Sequence, residues 1–324
     1  MAVLKHRVVV ANGIRIHLVE AGKGPLVLMI HGFPESWYSW RHQLHALADA
    51  GYRAAAIDVR GYGRSSAPAG IDEYRMTKHV ADNLGVVEAL GEKSATIVGH
   101  DWGAPIAANS ALLRPDVFRA LALLSVPYSP RGSRRPSEAF RQMSGKEEFY
   151  IEYFQQPGRA EAEIEPDVAG WLLGFYYGAS GDAPAPTAGG TMATIPHGGK
   201  MRDRLMIPEK LPAWLTAEDL DFYVSEFERT GLTGGLNRYR NVDRDWEDLA
   251  AFNWQPITVP SLFIGGEKDG PTRWGGAAIA NFNKTLPGLR GSHVLSGCGH
   301  WVQQERPKEV NELLVEFLKG LLVG

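Results

Sequence analysis

Gly99-His100-Asp101-Trp102-Gly103 sets an aspartate at the centre of a G-x-D-x-G pentapeptide, directly after the apolar run Ala95-Thr96-Ile97-Val98 and directly before an apolar helical stretch. Strand, tight turn and helix are the setting of the G-x-S-x-G nucleophile elbow, whose flanking glycines let a strained turn lift one side chain above a sheet. A carboxylate there changes the chemistry. A serine attacking saturated carbon would leave an ether that no general base can hydrolyse, whereas an aspartate leaves an ester that water cleaves at its carbonyl. The residue type therefore points to displacement at saturated carbon, on an oxirane or an alkyl halide. The competing reading of the isolated motif is an aspartate that caps the next helix.

Two further residues stand where partners of Asp101 are needed. Asp269 closes Gly265-Gly266-Glu267-Lys268-Asp269 just past an expected sheet strand, and His300 closes Gly297-Cys298-Gly299-His300 just past the next. The order nucleophile, acid, histidine accompanies such elbows, and the carboxyl ends of neighbouring parallel strands converge on one crevice. A lone histidine after a strand, or a lone aspartate in a turn, is ordinarily structural. Three in this order make a nucleophile and a base pair. Glu267 is the rival acid, standing closer to the strand.

The elements that must carry these residues alternate. A hairpin-like pair surrounds Asn12-Gly13, then come the buried run Leu26–Ile30, a helix near Arg41–Ala50 stopped by Gly51, and the run Arg53–Val59. A helix with Val80, Leu84 and Val87 on one face follows, with Gly91 past its end, then the elbow, a helix ending before Pro115, and the run Ala120–Val126. This alternation predicts a mostly parallel sheet with helices on both faces. From about Tyr128 to Pro256 the rhythm breaks into helical periodicity, with a capping box at Thr216-Ala217-Glu218-Asp219 and a Gly-, Ala- and Pro-rich stretch between Ser180 and Gly199 that predicts no regular structure. A helical insertion after a sheet strand reads as a lid. Strands return at Pro260–Ile264 and Ser292–Leu295, followed by a last helix facing inward through Val310, Leu313, Leu314, Phe317, Leu318 and Leu321.

Bulk composition excludes several partners. The 324 residues are 44% hydrophobic, and 34 Lys and Arg against 37 Asp and Glu give a formal charge of −3. No nucleic-acid partner or polybasic membrane anchor is expected from that balance. A single cysteine, Cys298, permits no disulfide framework and reads as a small packing residue. The start Met1–Arg7 lacks the apolar core of a signal peptide, and the expectation is a cytoplasmic protein without a membrane span. Gly61-Tyr62-Gly63 lacks the third glycine of a dinucleotide site, and His42 and His45 have no accompanying ligand set for a metal. No cofactor or metal is expected.

The segments His31-Gly32-Phe33-Pro34, Arg60-Gly61-Tyr62-Gly63-Arg64-Ser65, Gly99–Gly103, Glu267-Lys268-Asp269 and Gly299-His300-Trp301 occur in that order. With them the chain resembles the epoxide hydrolases of the α/β-hydrolase family, from near its start to its last helix. The resemblance implies an α/β-hydrolase core of residues 1–127 and 257–324, a helical lid of 128–256, and a small apolar epoxide and water as substrates. It also assigns the ring-opening acids to two lid tyrosines. Phe149–Gln155 and Leu236–Asn241 match those sites and point to Tyr150 and Tyr239, with Tyr153 as the alternative on the same helix, read here as packing. Backbone N–H groups of Phe33 and Trp102 would form the oxyanion hole. Glu35 and His100 would hold the hydrolytic water, though each also reads as a hydrogen-bonding residue of its turn. Trp37, Trp102, Trp171, Phe175 and Tyr176 would furnish an aromatic pocket or lid core. The assembly would be a monomer or homodimer.

The alternatives differ at named positions. A dehalogenase would share Asp101, Asp269 and His300 but cradle a halide with N–H donors, one from Trp102 and a second from an Asn where this chain has Phe33. Relatives acting on fluoroacetate carry arginines soon after the nucleophile, and here none precedes Arg114. An esterase would want serine at the elbow, and a noncatalytic receptor on the same fold would have lost the triad.

Overall fold

The computed structural model describes residues 2–184 and 191–321. Its strands are β1 (Lys5–Ala11), β2 (Ile14–Ala21), β3 (Leu26–Ile30), β4 (Arg53–Ile57), β5 (Ala95–His100), β6 (Phe118–Leu124), β7 (Glu148–Phe149), β8 (Thr194–Ile195), β9 (Ser261–Gly266) and β10 (Leu289–Leu295). Eight of them form one sheet in the order β1-β2-β4-β3-β5-β6-β9-β10. Its first two pairings are antiparallel and the remainder parallel. Asn12 and Gly13, both at positive φ (47° and 77°), make the two-residue turn that the twist of the β1–β2 hairpin requires.

Alternate residues of each central strand feed opposite faces. In β3, Leu26, Leu28 and Ile30 enter one apolar cluster with α2 (Met76–Ala89) and α3 (Gly103–Leu113). Val27 and Met29 enter the other, with α1 (Arg41–Asp49) and the final helix Pro307–Leu321. Strands covered on both faces must be apolar throughout, which is why these runs show no alternation. Burial of each such leucine contributes about 1.5–3 kcal/mol.

Two strands end sooner than the apolar runs suggest. β4 stops at Ile57, one residue before Asp58, whose N–H still donates to the His17 carbonyl of β2 (2.9 Å) and whose carboxylate accepts the N–H groups of Trp37 (2.9 Å) and Arg64 (3.0 Å). β6 stops at Leu124 because Ser125 adopts φ 68°, outside strand conformation.

Among the described residues between β6 and β9, the chain adds no strand to the large sheet. It forms α4 (Pro136–Ser144), α5 (Tyr150–Tyr153), α6 (Arg159–Ile164), α7 (Val168–Ala179), α8 (Ala217–Thr230), α9 (Thr233–Tyr239) and α10 (Val242–Asp248). The Thr216 hydroxyl accepts the Asp219 N–H at 3.1 Å and caps α8 as its sequence foretold. The Ser180–Gly199 stretch is more ordered than expected. Thr194 and Ile195 pair with Phe149 and Glu148 in a two-residue antiparallel ribbon, while the stretch's central residues, 185–190, lie outside those described.

Candidate active site

β5 runs directly into the elbow. Asp101 has φ 50°, a left-handed conformation that costs a non-glycine residue energy and persists only where its surroundings impose it. The surroundings do so through glycines. A Cβ on Gly99 would stand 2.0 Å from the Gly103 carbonyl oxygen, one on Gly103 2.0 Å from that of Ile30, and one on Gly32 2.3 Å from Asp101 Oδ1. The Asp101 carboxylate does not cap α3, which has no side-chain cap. Instead Oδ1 accepts the Phe33 N–H at 2.8 Å and Oδ2 lies 3.3 Å from His300 Nε2.

His300 is held on three sides. Its Nδ1 is 2.8 Å from Asp269 Oδ1, its carbonyl accepts the Ser125 hydroxyl at 2.6 Å, and its N–H donates to the Ala179 carbonyl at 2.8 Å. Asp269 is fixed in turn by the N–H (3.1 Å) and hydroxyl (2.7 Å) of Thr272. Glu267, the rival acid, is exposed and bound to Ser296 and the Gly297 N–H, turned away from the imidazole. Burial alone would lower the His300 pKa. The carboxylates of Asp269 and Asp101 outweigh it and hold the ring well above its ordinary value. Burial likewise opposes ionisation of Asp101, yet His300 and the Phe33 N–H keep that carboxyl below its usual range.

Above this floor is a cavity of about 1000 Å³ whose walls include Phe33, Asp101, Tyr150, Phe175, Tyr239 and His300. The two tyrosines come from α5 and α9, with ring centroids 6.0 Å apart. Burial, reinforced by the Asp101 charge, raises both phenol pKa values further above neutral, where a phenol is protonated in any case. The Trp102 indole meets the Tyr239 ring edge-on at 5.1 Å and is backed by the Arg238 guanidinium at 5.0 Å. Tyr153 turns the other way, and its hydroxyl donates to Glu163 outside this cavity.

The chain matches the model of the alpha/beta hydrolase fold over residues 25–307. It is 43% identical to epoxide hydrolase B of Mycobacterium tuberculosis, over 98% of each chain, and 46% identical to epoxide hydrolase A of that organism, over 97% of each. Among solved structures, an epoxide hydrolase from an endophytic Streptomyces superposes with a TM-score of 0.97 at 65% identity, covering 99% of this chain and 97% of its own. This chain belongs to the epoxide hydrolases of the α/β-hydrolase family.

The enzyme's remaining site residues divide into those the cavity uses and those that support it. Glu35 and His100, expected to hold a water, are occupied by protein. His100 Nδ1 meets Glu35 Oε2 and its Nε2 meets the His300 carbonyl, both at 2.8 Å. Glu35 Oε2 also accepts the Gly32 N–H, and Oε1 accepts the amides of Gln303 and Gln304. Four donors fill the lone-pair positions of one carboxylate. Of the five aromatics expected around a pocket, only Phe175 lines the cavity. Trp37 lies in the core on the α1 side of the sheet, and Trp171 and Tyr176 are fully buried within the inserted segment. Sequence reasoning missed Met192, Met201, Leu205 and Trp274, which complete the apolar wall, and Ser125 and Thr272, which hold His300 and Asp269. For Met201 and Leu205, their place just past the Gly-, Ala- and Pro-rich stretch was the available signal. Among the described residues no cluster of His, Cys, Asp and Glu could hold a metal ion, and no helix is long and apolar enough to cross a membrane.

Proposed function

We propose that the enzyme opens an oxirane to a vicinal diol through an alkyl ester on Asp101, with residues 128–256 acting as the lid that supplies the proton donors. The observation that carries this reading is the opposition, across one apolar cavity, of an ionised carboxylate on a strained elbow and two protonated phenols. An Asp101 oxygen bonds to one ring carbon, the carbon–oxygen bond of the ring breaks, and Tyr150 or Tyr239 gives the departing alkoxide its proton. The product is a hydroxyalkyl ester.

Ester formation removes the Asp101 charge, and with it one of the two carboxylates that keep the imidazole protonated. The His300 proton then replaces the one the phenol gave up, through water in the cavity, and leaves a neutral base. That base takes a proton from a second water as its oxygen attacks Asp101 Cγ, and the N–H groups of Phe33 and Trp102 hold the resulting oxyanion. Collapse expels the diol with the His300 proton, and the carboxylic acid left on Asp101 passes its remaining proton back to His300, restoring the carboxylate and the protonated imidazole. Glu35 and His100 act here by fixing the elbow loop and the His300 backbone. Dehalogenation has less support, since the position for a second halide donor is Phe33 and the cavity roof offers phenols.

A single turnover with excess enzyme in heavy-oxygen water tests the covalent route. The diol should be mostly unlabelled and the label should appear in the Asp101 peptide, with labelled diol released only in later turnovers. Label in the first diol and none in Asp101 would make Asp101 a general base instead.

A further inference from the structure

Three backbone N–H groups converge on the partly buried carboxylate of Glu305. Those of Gly299 and Gly181 reach Oε2, each at 2.9 Å, and that of Trp301 reaches Oε1 at 3.0 Å. Gly299 and Trp301 flank His300. Gly181 belongs to the turn after α7, whose residues Ala179 and Ser180 line the cavity beside His300. The same turn is bound twice more, by the His300 N–H on the Ala179 carbonyl and by Lys268 Nζ on the Gly181 carbonyl at 2.6 Å. Lys268 directly precedes Asp269. The join leaves no space for side chains, since a Cβ on Gly299 would lie 2.2 Å from the Gly181 nitrogen and one on Gly181 2.2 Å from the Gly297 oxygen.

The geometry points to Glu305 as a positioning residue that locks the His300 loop to the cavity wall and so governs hydrolysis of the ester, with little effect on its formation. Alkylation needs the Asp101 carboxylate, in the turn between β5 and α3, and the two phenols, on α5 and α9, and none of these residues is bonded to Glu305. Hydrolysis needs the His300 ring to place a water over Asp101 Cγ, and that ring's backbone is gripped on both sides by one carboxylate. A charged acceptor with three N–H donors is among the stronger hydrogen-bonding arrangements a backbone can have. An amide in its place keeps one oxygen and turns an N–H toward a donor.

This inference rests on the two-step covalent reading, and its test separates the two. In Glu305→Gln the ester should accumulate. Steady-state kcat and KM should then fall together, by up to about 10²-fold for a base displaced by roughly 1 Å, while kcat/KM, which reports alkylation, holds within about 2-fold. Glu305→Asp, which retains charge and both oxygens on a shorter arm, should recover part of the loss, and it is read the same way should Glu305→Gln not fold. A kcat/KM that drops as far as kcat, or wild-type values of both, overturns the inference. His300→Gln is the companion variant. No covalent adduct in it would overturn the covalent reading itself, whereas an adduct there alongside a wild-type Glu305→Gln would overturn only the role of Glu305.

Discussion

On the sheet side of the cavity the groups proposed to react are charged and immobilised, whereas on the inserted side they are neutral and nearly free of partners. Asp101, His300 and Asp269 form one chain of contacts at 3.3 and 2.8 Å, and each is further tied to backbone or hydroxyl groups. Opposite them, Tyr150 and Tyr239 stand among rings, Phe154 with both and Trp102 with Tyr239. Burying a charge is costly unless it is paired, so the ionic half must be built as a network. A phenol, neutral at its ordinary pKa near 10, can be buried among rings at smaller cost, and burial raises that pKa further. In the proposed mechanism the partners of Asp101, against the effect of burial, leave one wall a nucleophile, while the neutral phenols of the other serve as the acid.

Breaking the ionic wall should have the largest effect. Asp101→Ala should lose turnover by about 10⁴-fold or more and form no adduct. His300→Gln should lose comparable turnover yet show one substrate mass on the Asp101 peptide by intact mass spectrometry. An unmodified His300→Gln protein after long incubation with a substrate that the wild type consumes would remove the division of labour between the two residues.

Loss of one phenol should cost less, because its neighbour remains. Tyr150→Phe or Tyr239→Phe should slow alkylation by roughly 10- to 1,000-fold in rapid-mixing measurements, and the double variant should nearly abolish it. Tyr153→Phe should be mild. Normal alkylation in both single variants together with an inactive Tyr153→Phe would transfer the acid role to the other side of α5.

The smallest expected effect is on stability against pH. The folded pKa of His300 is raised above 6.5, so its charged contacts stabilise the fold fully below that pH and progressively less as pH rises through the folded value. The gap in thermal midpoint between wild type and His300→Gln should therefore be widest in mildly acidic buffer and narrow on the alkaline side. A gap that widens with rising pH would mean that the imidazole is buried neutral.

The ionic wall was the more legible half of the sequence. Asp101 and Asp269 each follow an apolar run dense enough to read as a doubly covered strand, and His300 follows a shorter, mixed strand next to the second, so that strand ends determine where their side chains meet. The phenols were reached only through family resemblance, since Tyr150 and Tyr153 stand three residues apart on a single helical turn. Only the fold shows one facing the cavity and the other Glu163. Glu305 left no trace at all, because it works through main-chain N–H groups that every residue except proline possesses. Ser125 and Thr272 were hidden for a related reason, as hydroxyls are common in turns and only their partners distinguish them. The Thr194–Ile195 ribbon was too short for a periodicity to register.

The crowded glycines of the elbow also bear on how such a site can evolve. Gly32, Gly99 and Gly103 leave no room for even one methyl group, so their positions admit almost no drift while the backbone keeps this path. The side chain at 101 is less confined, for it borders the cavity, although Gly32 limits its base. A change of codon there would alter the kind of attack without rebuilding the platform that delivers it. Inheritance in this part of the molecule therefore acts mainly on a location in space, and the reaction performed at that location is the more easily exchanged of the two.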